Sequence, residues 1–311
     1  MVLTGGRQAV AVTLVVLASA VLPGCGGDST GSGPAGSGDR PLVVATTSIL
    51  GDLVGNVVGD AAAVEVIMPP GTDPHDFEPS ARQAASLRRA DLIVENGLGF
   101  EEGLLRAVDS AERDGVTVYE ASDAVDALPL AGEDLDPHWF TDPLRSADAV
   151  EGIAEALARS GDIPDPEGAR RRAADYSRRL RNLAEEMEET LAKVRPAERI
   201  LVTNHEVFAY FADRFDFEVV GVVVPGGSTL AEPSSTELAE LTRTVEDAGV
   251  AAIFAETTSP SRLADAVADE VGSEVDVVEL YTESLGEPGS PGATYAGMMR
   301  TDAERIAAAL S

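Results

Sequence analysis

The chain has 311 residues, of which 23 are lysine or arginine and 54 are aspartate or glutamate, so its formal net charge is −31. This balance excludes nucleic-acid binding, which requires a basic surface. The single cysteine, Cys25, excludes an internal disulfide, so a packed core must stabilise the fold.

The first 24 residues have the pattern of an export signal. Arg7 precedes an uncharged apolar stretch, residues 9–22, which is shorter than the roughly 20 residues needed to cross a bilayer. The stretch leads into Leu-Pro-Gly-Cys, residues 22–25, a tetrapeptide that resembles a bacterial lipobox, in which the cysteine carries a lipid. The alternative is an inert cysteine beside an ordinary cleavage site.

Residues 25–39 are rich in glycine and serine and predict a flexible tether. We therefore expect a lipoprotein signal peptide over residues 1–24. The mature protein would lie in the cell envelope, held to the outer face of the cytoplasmic membrane by a lipid on Cys25, or else free in the periplasm.

From residue 41 onward, short apolar runs alternate with helical segments such as 80–89 and 101–110. The apolar runs are 41–45, 63–68, 91–94, 116–119, 199–203, 217–224, 250–255 and 275–280. Continuous apolar strands separated by helices are typical of parallel sheets covered on both faces. The sequence therefore predicts an α/β fold with an N-terminal lobe, residues 40–163, and a C-terminal lobe, residues 197–311.

One long, rigid linking helix is predicted between the lobes, over residues 164–196. Its apolar side chains recur every three or four residues, at Tyr176, Leu180, Leu183, Met187, Leu191 and Val194. The opposite face carries arginines and then glutamates, as a solvated helix face does. At 1.5 Å per residue such a helix runs roughly 40 Å, and Pro196 is expected to end it.

A faint internal repeat supports two similar lobes. In the first half, the run 64–67 leads to Pro-Gly and then to Glu-Pro-Ser at 78–80. In the second half, the run 217–220 leads to Pro-Gly and then to Glu-Pro-Ser at 232–234. A helix and another apolar strand follow in each case.

The three histidines of the chain all follow predicted strands. His75 comes after the run 63–68, His205 after 199–203, and His138 after 116–119 and a longer loop, while Glu283 stands just past the last strand. Ligands of open α/β sheets bind outside the carboxyl ends of the strands, and neutral imidazole is the commonest protein ligand for transition metals. We therefore expect these four residues to hold one metal ion in a cleft between the lobes.

Several motifs carry a family resemblance. They are the segments 71–79, 90–99, 136–138, 203–205, 282–285 and 292–299. Together they make the chain resemble the metal-binding lipoproteins, zinc-type solute-binding proteins of family 9, that deliver zinc or manganese to bacterial ABC importers. The resemblance implies two α/β lobes joined by one long helix, a membrane permease as partner, and a receptor rather than an enzyme. We expect a monomer.

The chain departs from the family pattern at three places. Phe140 stands where the family usually has tryptophan, and Glu283 stands where it commonly has aspartate. The acidic stretch 128–136 contains no histidine, so a histidine-rich metal-gathering loop is not supported.

The ligand set favours zinc. Three imidazole nitrogens and one carboxylate suit four-coordinate zinc, whereas manganese prefers oxygen-rich sites. The resemblance implies a carboxylate at the third position in manganese-binding members, where this chain has His205. Manganese is the alternative because Glu283 can bind through both oxygens.

Three other functions compete with this prediction, and for one of them, an adhesin, the sequence gives no evidence either way. A hydrolytic zinc enzyme also uses three histidines, but it keeps an open fourth position that Glu283 would fill here, and no His-Glu-X-X-His motif occurs. A receptor for haem or a siderophore would need a large aromatic pocket, and only 5% of the residues are aromatic.

A metal-bound imidazole usually donates its second N–H to a carboxylate or a carbonyl. Asp76, Asp142 and Glu206 lie near the histidines in sequence, and Glu256 ends a predicted strand. Each of the first three is equally a capping or surface carboxylate, and Glu256 could likewise face the cleft or simply end its strand.

Overall fold

The structure, a computed structural model, describes residues 40–130, 134–272 and 275–311. In these ranges the strands are β1 (Leu42–Ala45), β2 (Ala63–Val66), β3 (Leu92–Glu95), β4 (Thr117–Glu120), β5 (Ile200–Thr203), β6 (Glu218–Val222), β7 (Ala252–Glu256) and β8 (Asp276–Leu280). The α-helices are α1 (Ser48–Val58), α2 (Ala81–Leu87), α3 (Leu105–Arg113), α4 (Pro143–Ser160), α5 (Pro166–Leu191), α6 (Ala209–Phe215), α7 (Ser235–Ala248), α8 (Arg262–Val271) and α9 (Tyr295–Ala309).

The expected signal peptide, the tether and Cys25 lie outside the described residues. Within the described part of the chain, every helix is too short or too polar to cross a membrane.

The strands form two parallel four-stranded sheets, with the orders β2-β1-β3-β4 and β6-β5-β7-β8. All eight predicted runs form strands, with ends that differ from the prediction by at most two residues. Their apolar side chains are covered by helices, as in β3, where all four residues are buried. The predicted α/β class with two sheets is confirmed.

The two sheets repeat one another in detail. In both, the first strand in sequence lies between the second and the third. Ser80 and Ser234 each cap the following helix in a capping box, accepting a hydrogen bond from the backbone N–H three residues on. Gly71 and Gly226 both have a positive φ, 76° and 100°, which only glycine adopts readily. The sequence repeat therefore corresponds to a structural repeat.

The long helix is present as α5, and its predicted apolar stripe is buried. Asp165 caps its first turn by accepting from the Gly168 N–H. The expectation that Pro196 ends the helix is wrong. The backbone already tightens after Leu191, where Val194 N–H donates to the Leu191 carbonyl at 3.0 Å, so three-residue turns replace the last α-helical turn.

Helix α5 packs against α1 and α4 from the first half of the chain and against α9 from the second. Ser177 Oγ donates to the Ala147 carbonyl of α4 at 3.0 Å, and Arg300 of α9 pairs with Glu186 at 2.8 Å. The helix therefore contacts both halves. The lobe boundaries at residues 163 and 197 stay a prediction.

One hydrophobic cluster runs through both halves beneath the strand ends. It includes Trp139 and Phe140 from the first half and Tyr210 and Tyr295 from the second. Tyr295 Oη also donates to the Phe140 carbonyl at 2.7 Å. A shared, close-packed core of this kind resists large relative movement of the two sheets.

Candidate metal centre

The four residues singled out by the sequence converge. His75, His138, His205 and Glu283 each offer one donor atom, and these atoms all lie within 4.8 Å of one another. Each residue stands on a loop at the carboxyl end of a strand, after β2, β4, β5 and β8 respectively. All four are at least 97% buried, so the cluster is closed off from water.

Two of the histidines are set by the same local turn, Asp-Pro-His. Asp73 Oδ1 accepts the His75 backbone N–H at 2.9 Å, and Asp136 Oδ1 accepts the His138 backbone N–H at 2.9 Å. These are Asx turns, in which the intervening proline also restricts the backbone. Asp73 contacts the second half of the chain as well, because its Oδ2 accepts from Thr229 Oγ1 at 2.7 Å.

The imidazole Nε2 atoms surround a single carboxylate oxygen. Glu283 Oε1 lies 2.8 Å from His75 Nε2, 3.3 Å from His138 Nε2 and 3.2 Å from His205 Nε2. The edge of a tetrahedron with zinc–ligand bonds of 2.0–2.1 Å is roughly 3.3 Å. The three distances from Glu283 Oε1 to the imidazole nitrogens are therefore close to this edge length.

Several of these atoms lack the hydrogen bonds that buried polar groups normally make. Among the described residues, His138 Nε2, His205 Nε2 and Glu283 Oε2 are buried without a hydrogen-bond partner. Because most buried polar atoms do find a partner, this group of three is unusual. A cation among them would satisfy all three, so the donor set fits a metal ion.

Each imidazole is held from behind by a carboxylate. His75 Nδ1 lies 3.1 Å from Glu102 Oε1. His138 Nδ1 lies 2.7 Å from Asp136 Oδ1, and His205 Nδ1 lies 2.5 Å from Glu256 Oε1. A carboxylate that accepts the Nδ1 proton leaves the Nε2 lone pair free for a metal and fixes the orientation of the ring.

Of these three carboxylates, only Glu256 was singled out as a candidate in the sequence. Asp142 instead caps α4 by accepting from the Leu144 N–H and pairs with Arg145 at 2.8 Å. Asp76 is exposed and Glu206 is half-buried, and in the described ranges neither forms an ion pair with a histidine. Asp136 and Glu102 were missed, although the repeated Asp-Pro-His tripeptide was a local signal for Asp136.

The charges of the cluster shift the pKa values of its members. Burial lowers the pKa of His205, but the Glu283 and Glu256 carboxylates raise it by more. The pKa of His205 therefore lies well above its usual value of 6.5. Burial also opposes the charged form of His75, whose pKa is raised by its contact with Glu283. For Glu283 burial raises the pKa, but the charge of His205 and the contacts with all three imidazoles hold it well below 4.5.

Aromatic rings line the cluster on the side of the first sheet. Phe100 packs edge-on against His75 and His138, with ring centroids 5.4 Å and 5.6 Å away. Phe140 packs against His138 at 6.1 Å. Because these rings exclude water, charge interactions within the cluster are stronger than they would be at the surface.

Comparison with known proteins places the chain in a family. The family described as zinc-uptake complex component A, periplasmic, matches residues 43–309, nearly the whole described chain. The protein belongs to this family. Its members are substrate-binding receptors of ABC transporters, so the resemblance noted in the sequence and the prediction that the protein is not an enzyme are confirmed.

Two relatives resemble the chain over almost its full length. The manganese-binding lipoprotein MntA of Halalkalibacterium halodurans is 30% identical over 303 residues, covering 96% of this chain and 97% of that protein. The manganese ABC transporter substrate-binding lipoprotein PsaA of Streptococcus anginosus is 27% identical and covers 91% of this chain and 93% of its own.

A solved structure shares the fold. The periplasmic zinc-binding protein TroA of Treponema pallidum superposes with a TM-score of 0.81 at 30% identity, over 88% of this chain and 99% of that one. The relatives thus bear names of both zinc-binding and manganese-binding proteins. Membership of the family implies a metal cargo, and the choice of metal depends on the ligands of this chain.

Proposed function

We propose that the protein is an extracytoplasmic receptor that captures one Zn²⁺ between His75, His138, His205 and Glu283 and delivers it to an ABC permease. The observation that carries the proposal is the convergence of three imidazole nitrogens on one carboxylate oxygen in a buried cluster. Two ligands come from each half of the chain, so binding a metal holds the two halves together.

Zinc is proposed over manganese because of the donor atoms. Three nitrogens and one oxygen suit a tetrahedral zinc site, while manganese prefers more oxygen ligands and higher coordination. One feature of the site favours manganese instead. Glu283 Oε2 is buried and has no hydrogen-bond partner among the described residues, so the carboxylate could bind through both oxygens and raise the coordination number.

A closed site supports a receptor rather than a zinc hydrolase. In catalytic zinc sites the fourth position is held by water or substrate. Here the Glu283 carboxylate lies against all three Nε2 atoms and would occupy that position. Its negative charge also offsets part of the charge of the cation, which lowers the cost of burying the metal.

We further propose that the protein is anchored in the cell envelope through a lipid on Cys25 and acts as a monomer. The printed names of MntA and PsaA include the word lipoprotein, which supports the lipobox interpretation. Mass spectrometry of the mature N-terminus would test the lipid. A Cys25→Ala variant is expected to move from the membrane fraction to the soluble fraction.

Metal identity can be tested by direct competition. The purified, untagged protein is stripped with a chelator, dialysed against equal concentrations of Zn²⁺ and Mn²⁺ and analysed by mass spectrometry of its metal content. We expect one zinc per chain. Glu283→Ala should lower zinc retention sharply, whereas Glu287→Ala should not, because Glu287 is exposed in the same loop. Retention of manganese over zinc would overturn the zinc assignment, and retention of neither would overturn the proposed function.

A further inference from the structure

The three carboxylates behind the imidazoles differ in their exposure to water. The side chain of Asp136 is 0% exposed and that of Glu256 is 1% exposed. Glu102, the partner of His75, is 41% exposed. A hydrogen bond that water can replace adds little net stability, whereas a buried one is costly to break. The carboxylate contact behind His75 is therefore the weakest of the three.

His75 is also the ligand that faces an opening. A cleft of about 510 Å³ lies against it. The described residues that line its walls include Glu102, Phe100, Leu98 and Asp134. Of the four proposed metal ligands, His75 is the one that lines this cleft. The exposed carboxylate and the imidazole that it contacts thus lie side by side at the mouth of the buried cluster.

These two observations concern the same contact. We propose that Glu102 governs metal exchange by positioning His75: the metal passes through this cleft, and His75 is the last ligand to bind and the first to let go. The inference rests on the proposed function. It assigns different tasks to the three histidines, since His138 and His205 stay in place on their buried partners while His75 swings.

Glu102 is a positioning residue in this scheme, because its contact is with the imidazole Nδ1 and not with the Nε2 that faces the cluster. Removing it should therefore change the lifetime of the bound metal more than the fold. Loss of a carboxylate behind a metal-binding histidine typically costs 10–100-fold in affinity. For an exposed partner we expect the lower end of that range.

The first test measures release. Zinc-loaded full-length protein is mixed rapidly with an excess of a chromogenic chelator, and the release rate is compared among variants. Glu102→Ala should release zinc about 10-fold faster than the wild type. The release rate of Glu102→Gln should lie between those of the wild type and Glu102→Ala, because its amide oxygen can still accept a hydrogen bond from His75 Nδ1. Glu112→Ala, an exposed site on α3, should stay within about twofold, as surface substitutions do.

The second test separates positioning from a general structural effect. The chain has three histidines, so an untagged, ¹⁵N-labelled protein gives a side-chain imidazole spectrum with three sets of signals. In metal-free protein, Glu102→Ala should shift the His75 signals and leave those of His138 and His205 in place. Comparable shifts in all three sets would indicate a structural role and overturn the inference.

The outcomes distinguish the two proposals. A wild-type protein that takes up no zinc would refute the proposed function, and this inference would fall with it. A wild-type protein that takes up one zinc, with Glu102→Ala releasing it at the wild-type rate, would refute the role of Glu102 alone. Faster release in Glu102→Ala, together with a shift confined to His75, would support the inference.

Discussion

Acid should release the metal steeply, because zinc and protons compete for the same nitrogen atoms. In the metal-free protein the pKa of His75 is raised above 6.5 and that of His205 is raised well above it. Both imidazoles therefore favour the protonated form at pH 6.5 more than a free histidine does. A bound zinc needs both Nε2 lone pairs, so binding at this pH must expel these protons.

The size of the effect follows from the number of protons expelled. Each proton makes the binding constant change tenfold per pH unit, which is about 1.36 kcal/mol. Two protons give about a hundredfold loss of zinc affinity per pH unit, or roughly 2.7 kcal/mol, as the pH falls below the raised pKa values. Above those values both imidazoles are already neutral, so the dependence should flatten.

Calorimetry can count these protons directly. Titrating zinc at pH 6.5 in two buffers of different ionisation enthalpy should show a net release of protons as the metal binds. Glu256→Gln removes a negative charge that raises the pKa of His205, so this variant should release fewer. Release of no protons by the wild type at pH 6.5, or an affinity that does not change between pH 5.5 and 7.5, would refute the reasoning.

The same shifts predict the stability of the metal-free protein. A raised histidine pKa adds stability that is fully present below the unfolded value of 6.5 and is lost as the pH rises through the folded value. The lowered pKa of Glu283 adds stability that is present above 4.5 and is lost as the pH falls through its folded value. Metal-free protein should therefore melt higher at pH 6 than at pH 8, and zinc-loaded protein should show the opposite trend.

Four substitutions test other parts of the structure. Asp136→Asn should weaken zinc binding 10–100-fold in a competition titration. Asp142→Ala should leave zinc affinity unchanged in the same titration. It should lower the unfolding free energy by about 1 kcal/mol through loss of a helix cap. Thr229→Val removes the hydrogen bond to Asp73, worth about 1 kcal/mol, so a stopped-flow chelator assay should show roughly fivefold faster release. Met187→Ala, in the buried stripe of α5, should lower the unfolding free energy by about 2–5 kcal/mol in urea.

Contrary outcomes would refute three of these predictions. Equal zinc affinity of Asp136→Asn and the wild type would show that the contact behind His138 is unimportant. An unchanged release rate in Thr229→Val would mean that the hydrogen bond to Asp73 does not hold the halves together. A loss below about 1 kcal/mol in Met187→Ala would contradict close packing around the long helix.

The sequence predicted the sheets and the metal cluster because both are local patterns. A buried parallel strand needs a run of apolar, often β-branched residues, so all eight strands were visible in the chain. Loops that follow parallel strands lie together at the carboxyl ends of those strands. His75, His138, His205 and Glu283 could therefore be grouped from the sequence. Helix α5 was visible for a similar reason, through the spacing of its buried side chains.

The partners of the ligands were a different matter. Glu102 is 27 residues from His75 in sequence, and Glu256 is 51 residues from His205, so their pairing depends on how separate loops cross at the strand ends. Asp142 is close to His138 in sequence, but its carboxylate caps helix α4 and does not contact the imidazole.

The sequence by itself therefore determined which residues could bind a metal, because the periodicity of strands and helices places them at one edge of two sheets. Only the tertiary structure decided that Glu102 and Glu256 hold His75 and His205, and that His75 is the imidazole that borders the cleft. The physical reason is that hydrogen bonding and burial depend on distances between segments far apart in the chain, and local residue patterns carry no record of those distances.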